Sequence, residues 1–303
     1  MSWFRTSLLI LLLIAGWVVV GQVPRDTSYT VANTVAKVLR HYPNLDVQGV
    51  EPNDPESVTS TFDVAYKDLG YRRLVANLFI PKEKRVSAAI LMIHGGGWRA
   101  GSPGLMTPMA ERLAEAGYLV MVPEYRLSME AFYPAAIDDL KDALQWMRDR
   151  SRTMGMNTNR MVVLGCSAGG QLAALLGTTT DVQAIVDIDG VLAFKHPDSQ
   201  EGSMAAQWLG GTYEEEPELW HEASALTHVS ASTPPTLFLA SKYPRFLAGR
   251  QEYMQILEEA GTYTAVRVFE DAPHSFWLLS PWFEATVVEV IKFLNDTILE
   301  QDN

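Results

Sequence analysis

The sequence predicts an α/β fold: a mostly parallel central sheet with helices on both faces, preceded by an antiparallel hairpin. Three observations predict it. From residue 88 onward, short continuous apolar runs alternate with amphipathic stretches, the pattern of strands buried on both faces. One of those runs ends in Gly165-Cys166-Ser167-Ala168-Gly169 and opens at once into an apolar helical stretch, a strand, tight turn and helix in succession. Ahead of them, two alternating runs joined by a glycine-containing turn read as a hairpin.

With 303 residues and 48% hydrophobic content, the chain can bury a full core and suits one large domain better than two. Arg5 precedes an uninterrupted apolar run from Leu8 to Gly21, which Gln22, Pro24 and Arg25 end. That run is shorter than the about 20 residues of a membrane span, and it has the charged start and apolar middle of a secretory signal. Residues 1–22 are expected to be a signal peptide or an uncleaved N-terminal anchor. Either way the body is exported, periplasmic or extracellular. Residues 23–58 form an N-terminal segment, and 59–303 the main domain.

Within the N-terminal segment a helix is expected over Tyr29 to Arg40, followed by a Pro- and Asn-rich connector with no sign of chemistry. The hairpin strands are Thr61 to Tyr66 and Arg73 to Ile80. Then come strands at Ala88 to Ile93, Tyr118 to Val122, Met161 to Leu164, Ala184 to Ile188, Thr236 to Ala240 and Thr264 to Phe269. Helices are expected at Met106 to Ala116, Tyr133 to Ser151, Gly170 to Leu176, Phe246 to Ala260 and Trp282 to Leu299. The one long excursion between strands, near 191–235, is an insertion over the strand ends, a candidate wall or lid.

A formal net charge of -12 argues against nucleic acid as a partner, since phosphate binding needs clustered Lys and Arg. Six histidines and one cysteine show no metal-ligand spacing, so no metal is expected.

The chemistry rests on three segments. In Gly165–Gly169 the small residues allow a tight reversal with Ser167 at its tip, at the N-terminus of the next helix, where developing negative charge is favoured. His94-Gly95-Gly96-Gly97-Trp98 directly follows a strand, and its glycines let backbone N–H groups approach a ligand without Cβ interference. Beside the serine turn such a loop supplies oxyanion donors: Gly96 and Gly97, joined by the N–H of Ala168. The base for Ser167 is His274, in the loop between the last strand and the last helix; the other histidines lie in connectors, the insertion or the glycine loop. Trp98 and Trp277 adjoin these segments and are candidate stacking surfaces for a substrate.

On His94–Trp98, Tyr133-Pro-Ala-Ala-Ile-Asp-Asp139, Gly165–Gly169 and Pro273-His274-Ser-Phe, the chain resembles α/β-hydrolase serine esterases. That group includes hormone-sensitive-lipase-like enzymes and bacterial carbohydrate esterases. The resemblance runs from about residue 60 to the C-terminus. It implies an α/β-hydrolase fold and ester hydrolysis through an acyl-enzyme, with no cofactor. His-Gly-Gly-Gly-Trp, the signal-like start and the Trp-rich tail look most like secreted esterases of plant cell-wall polysaccharide. The implied substrates are pectin methyl or acetyl esters, acetyl-xylan or feruloyl esters, and membrane contact is expected only through the N-terminal anchor. Alternatives are a general short-chain carboxylesterase, or an inactive hydrolase-fold binding protein.

One departure from that group is informative. Its acid usually follows the strand corresponding to Thr236–Ala240, yet here that loop, Ser241 to Arg250, contains no carboxylate. Losing the acid removes tautomer control and imidazolium stabilisation. The acid is expected at Asp189, at the C-terminal end of the strand after the serine helix and nearer its tip than Asp187; capping the turn with Gly190 is its other reading. Glu270, Asp271 or no acid at all are the alternatives. Arg245 and Arg250, with Lys242, place cations where the acid would be and suggest recognition of a uronate-bearing substrate.

Overall fold

The computed structural model describes residues 26–83, 86–153 and 160–299. The expected signal or anchor over 1–22 lies outside the described residues, among which no helix is long and apolar enough to cross a membrane. Among the described residues the first elements are α1 (Val31–His41), β1 (Gln48–Gly49), β2 (Val58–Asp68), β3 (Arg73–Pro81) and β4 (Ala89–Ile93). It continues through α2 (Thr107–Glu115), β5 (Leu119–Pro123), α3 (Ala135–Thr153), β6 (Met161–Cys166), α4 (Ala168–Thr179) and β7 (Ala184–Ile188). Two short helices, α5 (Gly202–Leu209) and α6 (Pro217–Glu222), occupy the insertion. Then follow β8 (Thr236–Ala240), α7 (Arg250–Glu259), β9 (Thr264–Val268), β10 (Leu279–Ser280) and α8 (Trp282–Leu294).

The main sheet has eight strands in the order β2-β3-β5-β4-β6-β7-β8-β9. The β2–β3 hairpin is antiparallel and the pairings from β5 to β9 are parallel, as the sequence predicts; β3 also joins β5 antiparallel, a pairing the sequence pattern does not specify. Strand alternation divides the core between the two faces. Ala89, Leu91 and Ile93 pack with Leu140, Leu144, Leu172 and Leu257 of α3, α4 and α7. Ile90 and Met92 pack with Leu113, Val287 and Val290 of α2 and α8 on the other side. In-register pairing of Ile93 with Gly165, Cys166 with Ile188, and Ile188 with Leu239 brings the C-terminal ends of β4, β6, β7 and β8 to one level. Ligand sites in such sheets form there.

Two features differ from expectation. The stretch expected as one helix from Phe246 to Ala260 is broken: Pro244–Leu247 forms a single 3₁₀ turn, and α7 starts only at Arg250, after Gly249 at φ 83. A left-handed glycine cannot continue a right-handed helix. A second small sheet also appears, in which Gln48 pairs with Ser280 and Gly49 with Leu279. These two-residue strands are too short for alternation to show. They tie the N-terminal segment to the end of the domain, and a Cβ at Gly49 would lie 2.3 Å from Val31 Cγ1, so α1 is packed tightly on them.

The hairpin is fastened to the body by a buried acid. Asp139, fully buried on α3, accepts from Arg126 Nε at 2.8 Å, Arg126 N at 3.0 Å and Lys67 Nζ of β2 at 2.6 Å. Removing Asp139 leaves Arg126 without its carboxylate, although Lys67 keeps Asp142 at 2.7 Å. Asp139→Ala is expected to lower unfolding free energy by about 3–5 kcal/mol in urea titrations; a loss under about 1 kcal/mol would mean that the cluster behaves as an exposed pair.

Candidate active site

Ser167 follows β6 directly with φ 57 and ψ −123, in a region that L-residues rarely enter. The flanking glycines are needed because the backbone folds onto itself. A Cβ at Gly165 would lie 1.9 Å from the Gly169 carbonyl oxygen, and one at Gly169 would lie 2.2 Å from that of Ile93. The Ser167 N–H donates to Ile188 O at 2.8 Å, so the neighbouring strand holds the turn. Cys166, next in line, is fully buried, and burial with the charges of Asp187 and Asp189 pushes its thiol well above the usual range. It stays a protonated packing residue.

The structure brings Ser167, His274 and Asp189 together. Ser167 Oγ lies 2.9 Å from His274 Nε2, and His274 Nδ1 lies 2.7 Å from Asp189 Oδ2. A carboxylate only accepts, so Nδ1 carries the proton and Nε2 is left to accept from the serine hydroxyl. Asp189 is fully buried; its second oxygen accepts the Ser241 N–H at 2.8 Å. The turn-capping reading belongs instead to Asp187, whose Oδ1 accepts the Gly190 N–H at 2.8 Å; burial holds this carboxyl well above the usual range. The other two carboxylates are elsewhere: Glu270 is exposed, and Asp271 accepts from Trp282 Nε1 at 3.0 Å.

The glycine loop lies against the serine turn. A Cβ at Gly95 would meet Cys166 O at 2.7 Å and Ser167 Cβ at 3.0 Å. Gly96 and Gly97, at φ 127 and 60, line the same cleft as Ser167, and among the described residues their N–H groups donate to no acceptor. Ala168 is the first residue of α4, where a backbone N–H has no partner within the helix.

Three expected contacts are corrected. Trp98 and Trp277 are only 2% and 1% exposed and offer no face to a sugar. Trp98 donates to Gln171 Oε1 at 2.9 Å and stacks on Trp208 at 5.2 Å, anchoring the insertion; Trp277 sets its ring edge-to-face against His274 at 5.2 Å. Apolar area won over proximity to the motif. Arg250, the first residue of α7, is absent from the cleft wall; its Nε and Nη1 atoms are buried, and that burial pushes the guanidinium below its usual range. Arg245 does line the cleft, with Nη1 3.4 Å from Glu201 Oε1.

That cleft has a volume of about 1140 Å³, with Ser167 and His274 on its lining. Its other wall is one the sequence reading passed over: Tyr29, Asn33, Lys37, His41 and Tyr42 of the N-terminal segment. Residues 33, 37 and 41 recur at i, i+4 and i+8 and form one polar helix face, a signal legible in the sequence. Tyr29 reaches the histidine loop, with its hydroxyl 3.2 Å from Ser275 Oγ. No group of three His, Cys, Asp or Glu side chains suited to a metal occurs among the described residues.

Known proteins are similar to this chain to different extents. Esterase LipC of Mycobacterium tuberculosis is 29% identical over 171 residues, covering 50% of this chain and 42% of LipC. Ethyl acetate hydrolase of Pseudomonas putida is 27% identical over 209 residues, covering 62% of this chain and 66% of that protein. The chain thus spans less than two thirds of either relative. A solved structure described as a truncated form of carbohydrate esterase from gut microbiota superposes with a TM-score of 0.68 at 22% identity, over 81% of this chain and 99% of that one, a likeness of fold. The family model described as BD-FAE matches residues 77–247, from within β3 to the loop after β8. That stretch is more than half of the chain and holds the glycine loop, the serine turn and Asp189. The chain belongs to the BD-FAE family of α/β-hydrolases.

Proposed function

We propose that the protein is a serine hydrolase of carboxylic esters, working through an acyl-enzyme. The observation that carries this reading is the unbroken relay of hydrogen bonds, 2.9 Å from Ser167 Oγ to His274 Nε2 and 2.7 Å from His274 Nδ1 to Asp189, opening on a cleft. As Ser167 Oγ bonds to the ester carbonyl carbon, its proton passes to Nε2, and the charge that forms on the carbonyl oxygen meets the N–H groups of Gly96, Gly97 and Ala168. The imidazolium, paired with Asp189, returns the proton to the leaving alcohol. Water then loses a proton to His274 and releases the acid.

The finer part of the proposal is that the ester is borne by a polysaccharide of the plant cell wall, and that the protein is exported. In support stand the breadth of the cleft, the fold-level likeness to a protein described as a carbohydrate esterase, and the signal-like apolar run at residues 8–21. Lys242 is absent from the cleft lining and sets its Nζ 4.1 Å from the Tyr42 ring centroid, so the uronate variant of the idea rests on Arg245, whose guanidinium is engaged by Glu201.

Ser167→Ala is expected to abolish hydrolysis of p-nitrophenyl acetate and labelling by a fluorophosphonate; turnover retained in this variant sinks the assignment. Asp189→Asn should leave binding nearly intact while lowering kcat by up to about 10⁴-fold, as loss of the tautomer-setting acid does in such triads. Glu270→Gln and Asp271→Asn should keep most of the activity, and a larger loss in either than in Asp189→Asn would move the acid. For the substrate, release of acetate, methanol or ferulate is compared on acetyl-xylan, esterified pectin and feruloylated arabinoxylan. At least one polymer should be cleaved with higher kcat/KM than tributyrin. The reverse order on all of them would leave a general short-chain esterase.

A further inference from the structure

The loop after β8, which lacks the carboxylate expected there, carries something else to the site. Phe246 lies flat on the imidazole of His274, with centroids 3.8 Å apart and planes inclined by 11°. Trp277 closes the ring from another side, edge-on at 5.2 Å. The Arg245 guanidinium carbon stands 4.4 Å over the Phe246 ring, and the same guanidinium reaches Glu201 of the insertion at 3.4 Å. Phe246 is 6% exposed and contributes to the cleft lining, so one edge meets the space a substrate occupies.

The two hydrogen bonds of His274 leave a freedom unfixed. With Cβ tethered to the chain, bonds to Ser167 Oγ and Asp189 Oδ2 define the mean ring plane, but the breadth of hydrogen-bond geometry still lets the ring rock about its side-chain torsions. A flat aromatic face 3.8 Å away narrows that rocking. That plane sets where the Nε2 lone pair aims, first at the serine hydroxyl and then at the leaving oxygen, and proton transfer depends on such alignment. The face also keeps water from one side of the imidazolium.

We infer that Phe246 is the positioning residue that fixes the plane of the His274 imidazole, and that Glu201, through Arg245, holds Phe246 in place. The inference rests on the serine-hydrolase reading above. The loop after β8 then serves the relay by shape while the acid comes from the loop after β7, and the insertion is linked to the histidine through one stacked column.

The test compares Phe246→Leu, Phe246→Tyr and Glu201→Gln with the full chain, using p-nitrophenyl acetate turnover and the rate of Ser167 labelling by a fluorophosphonate. Leucine preserves bulk and apolarity but has no flat face. It should lower kcat and the labelling rate by about 10- to 100-fold while KM changes by less than about threefold. Tyrosine keeps the face and should restore most of the rate, with Glu201→Gln falling between. A leucine variant that is folded by circular dichroism and as fast as the parent overturns the inference and leaves the esterase reading untouched. So does a Tyr variant as slow as Leu, because a flat face would then not be what sustains the rate. A parent protein that neither turns over ester nor labels removes both.

Discussion

Everything at the C-terminal end of the sheet depends on how the Asp189 carboxylate is satisfied. A fully buried charge without partners is strongly destabilising. Asp189 has two: the Ser241 N–H at 2.8 Å on one oxygen and His274 Nδ1 at 2.7 Å on the other. Those donors come from the loops after β8 and β9, so one side chain locks three successive loops together. Its own N–H donates to Leu239 O at 2.8 Å, which holds the end of β7 against β8. Adjacent strands lie only about 4.8 Å apart. An acid at the tip of either strand can therefore reach the same histidine, and moving it from β8 to β7 costs the relay nothing in geometry. The move frees the loop after β8 to bring Phe246 instead.

Backbone strain is concentrated at the same end. Of the six non-glycine residues with positive φ among the described residues, four are Trp98, Ser167, Asp189 and Ser275. Each stands in or beside a segment of the site. Such conformations cost on the order of 1–3 kcal/mol apiece and persist only where the surroundings over-determine them. Here they are over-determined. The Trp98 carbonyl is held by Ser128 N at 2.8 Å, Ser167 by Ile188 and Asp189 by Leu239, while the Ser275 side chain meets Tyr29. The rigid parallel sheet fixes where each strained residue sits, and the strain aims Ser167 and Asp189 out of the strand direction toward one histidine.

How much of this was legible in the sequence follows from what one-dimensional pattern can carry. The strands β4 to β8 read correctly because burial on both faces requires unbroken apolar runs, and Ser167 and His274 stood out by chain order. Asp189 emerged by elimination of the loop after β8. What pattern could not carry was direction. Trp98 and Trp277 border the motifs in sequence, but their side chains turn into the core, where their area is worth more than at a wet rim. Arg250 belongs to the loop after β8 by sequence and was expected at the strand tips for that reason, but it opens α7 and its Nε and Nη1 atoms are buried. The N-terminal segment shows a polar helix face at residues 33, 37 and 41 but no catalytic motif, and its place in the cleft, fixed by the pairing of Gln48 with Ser280, depended on a long-range contact of two residues.

That segment also alters what the cleft can select. Counting Lys and Arg against Asp and Glu, the described residues of its lining supply Lys37, Arg99 and Arg245 on one side and Asp26, Asp198 and Glu201 on the other. Two of these cations are already paired, Arg99 with Asp26 at 3.0 Å and Arg245 with Glu201 at 3.4 Å. A chain of net charge -12 thus presents a nearly neutral cleft. A long-range field from an acidic body repels a polyanion, and local arginines already engaged by carboxylates do little to offset it. Among the proposed substrates, a neutral esterified polymer therefore fits better than a uronate-rich one. Selection would rest on shape and on the hydroxyls of Tyr29, Tyr42 and Tyr243 along the wall, with charge playing little part.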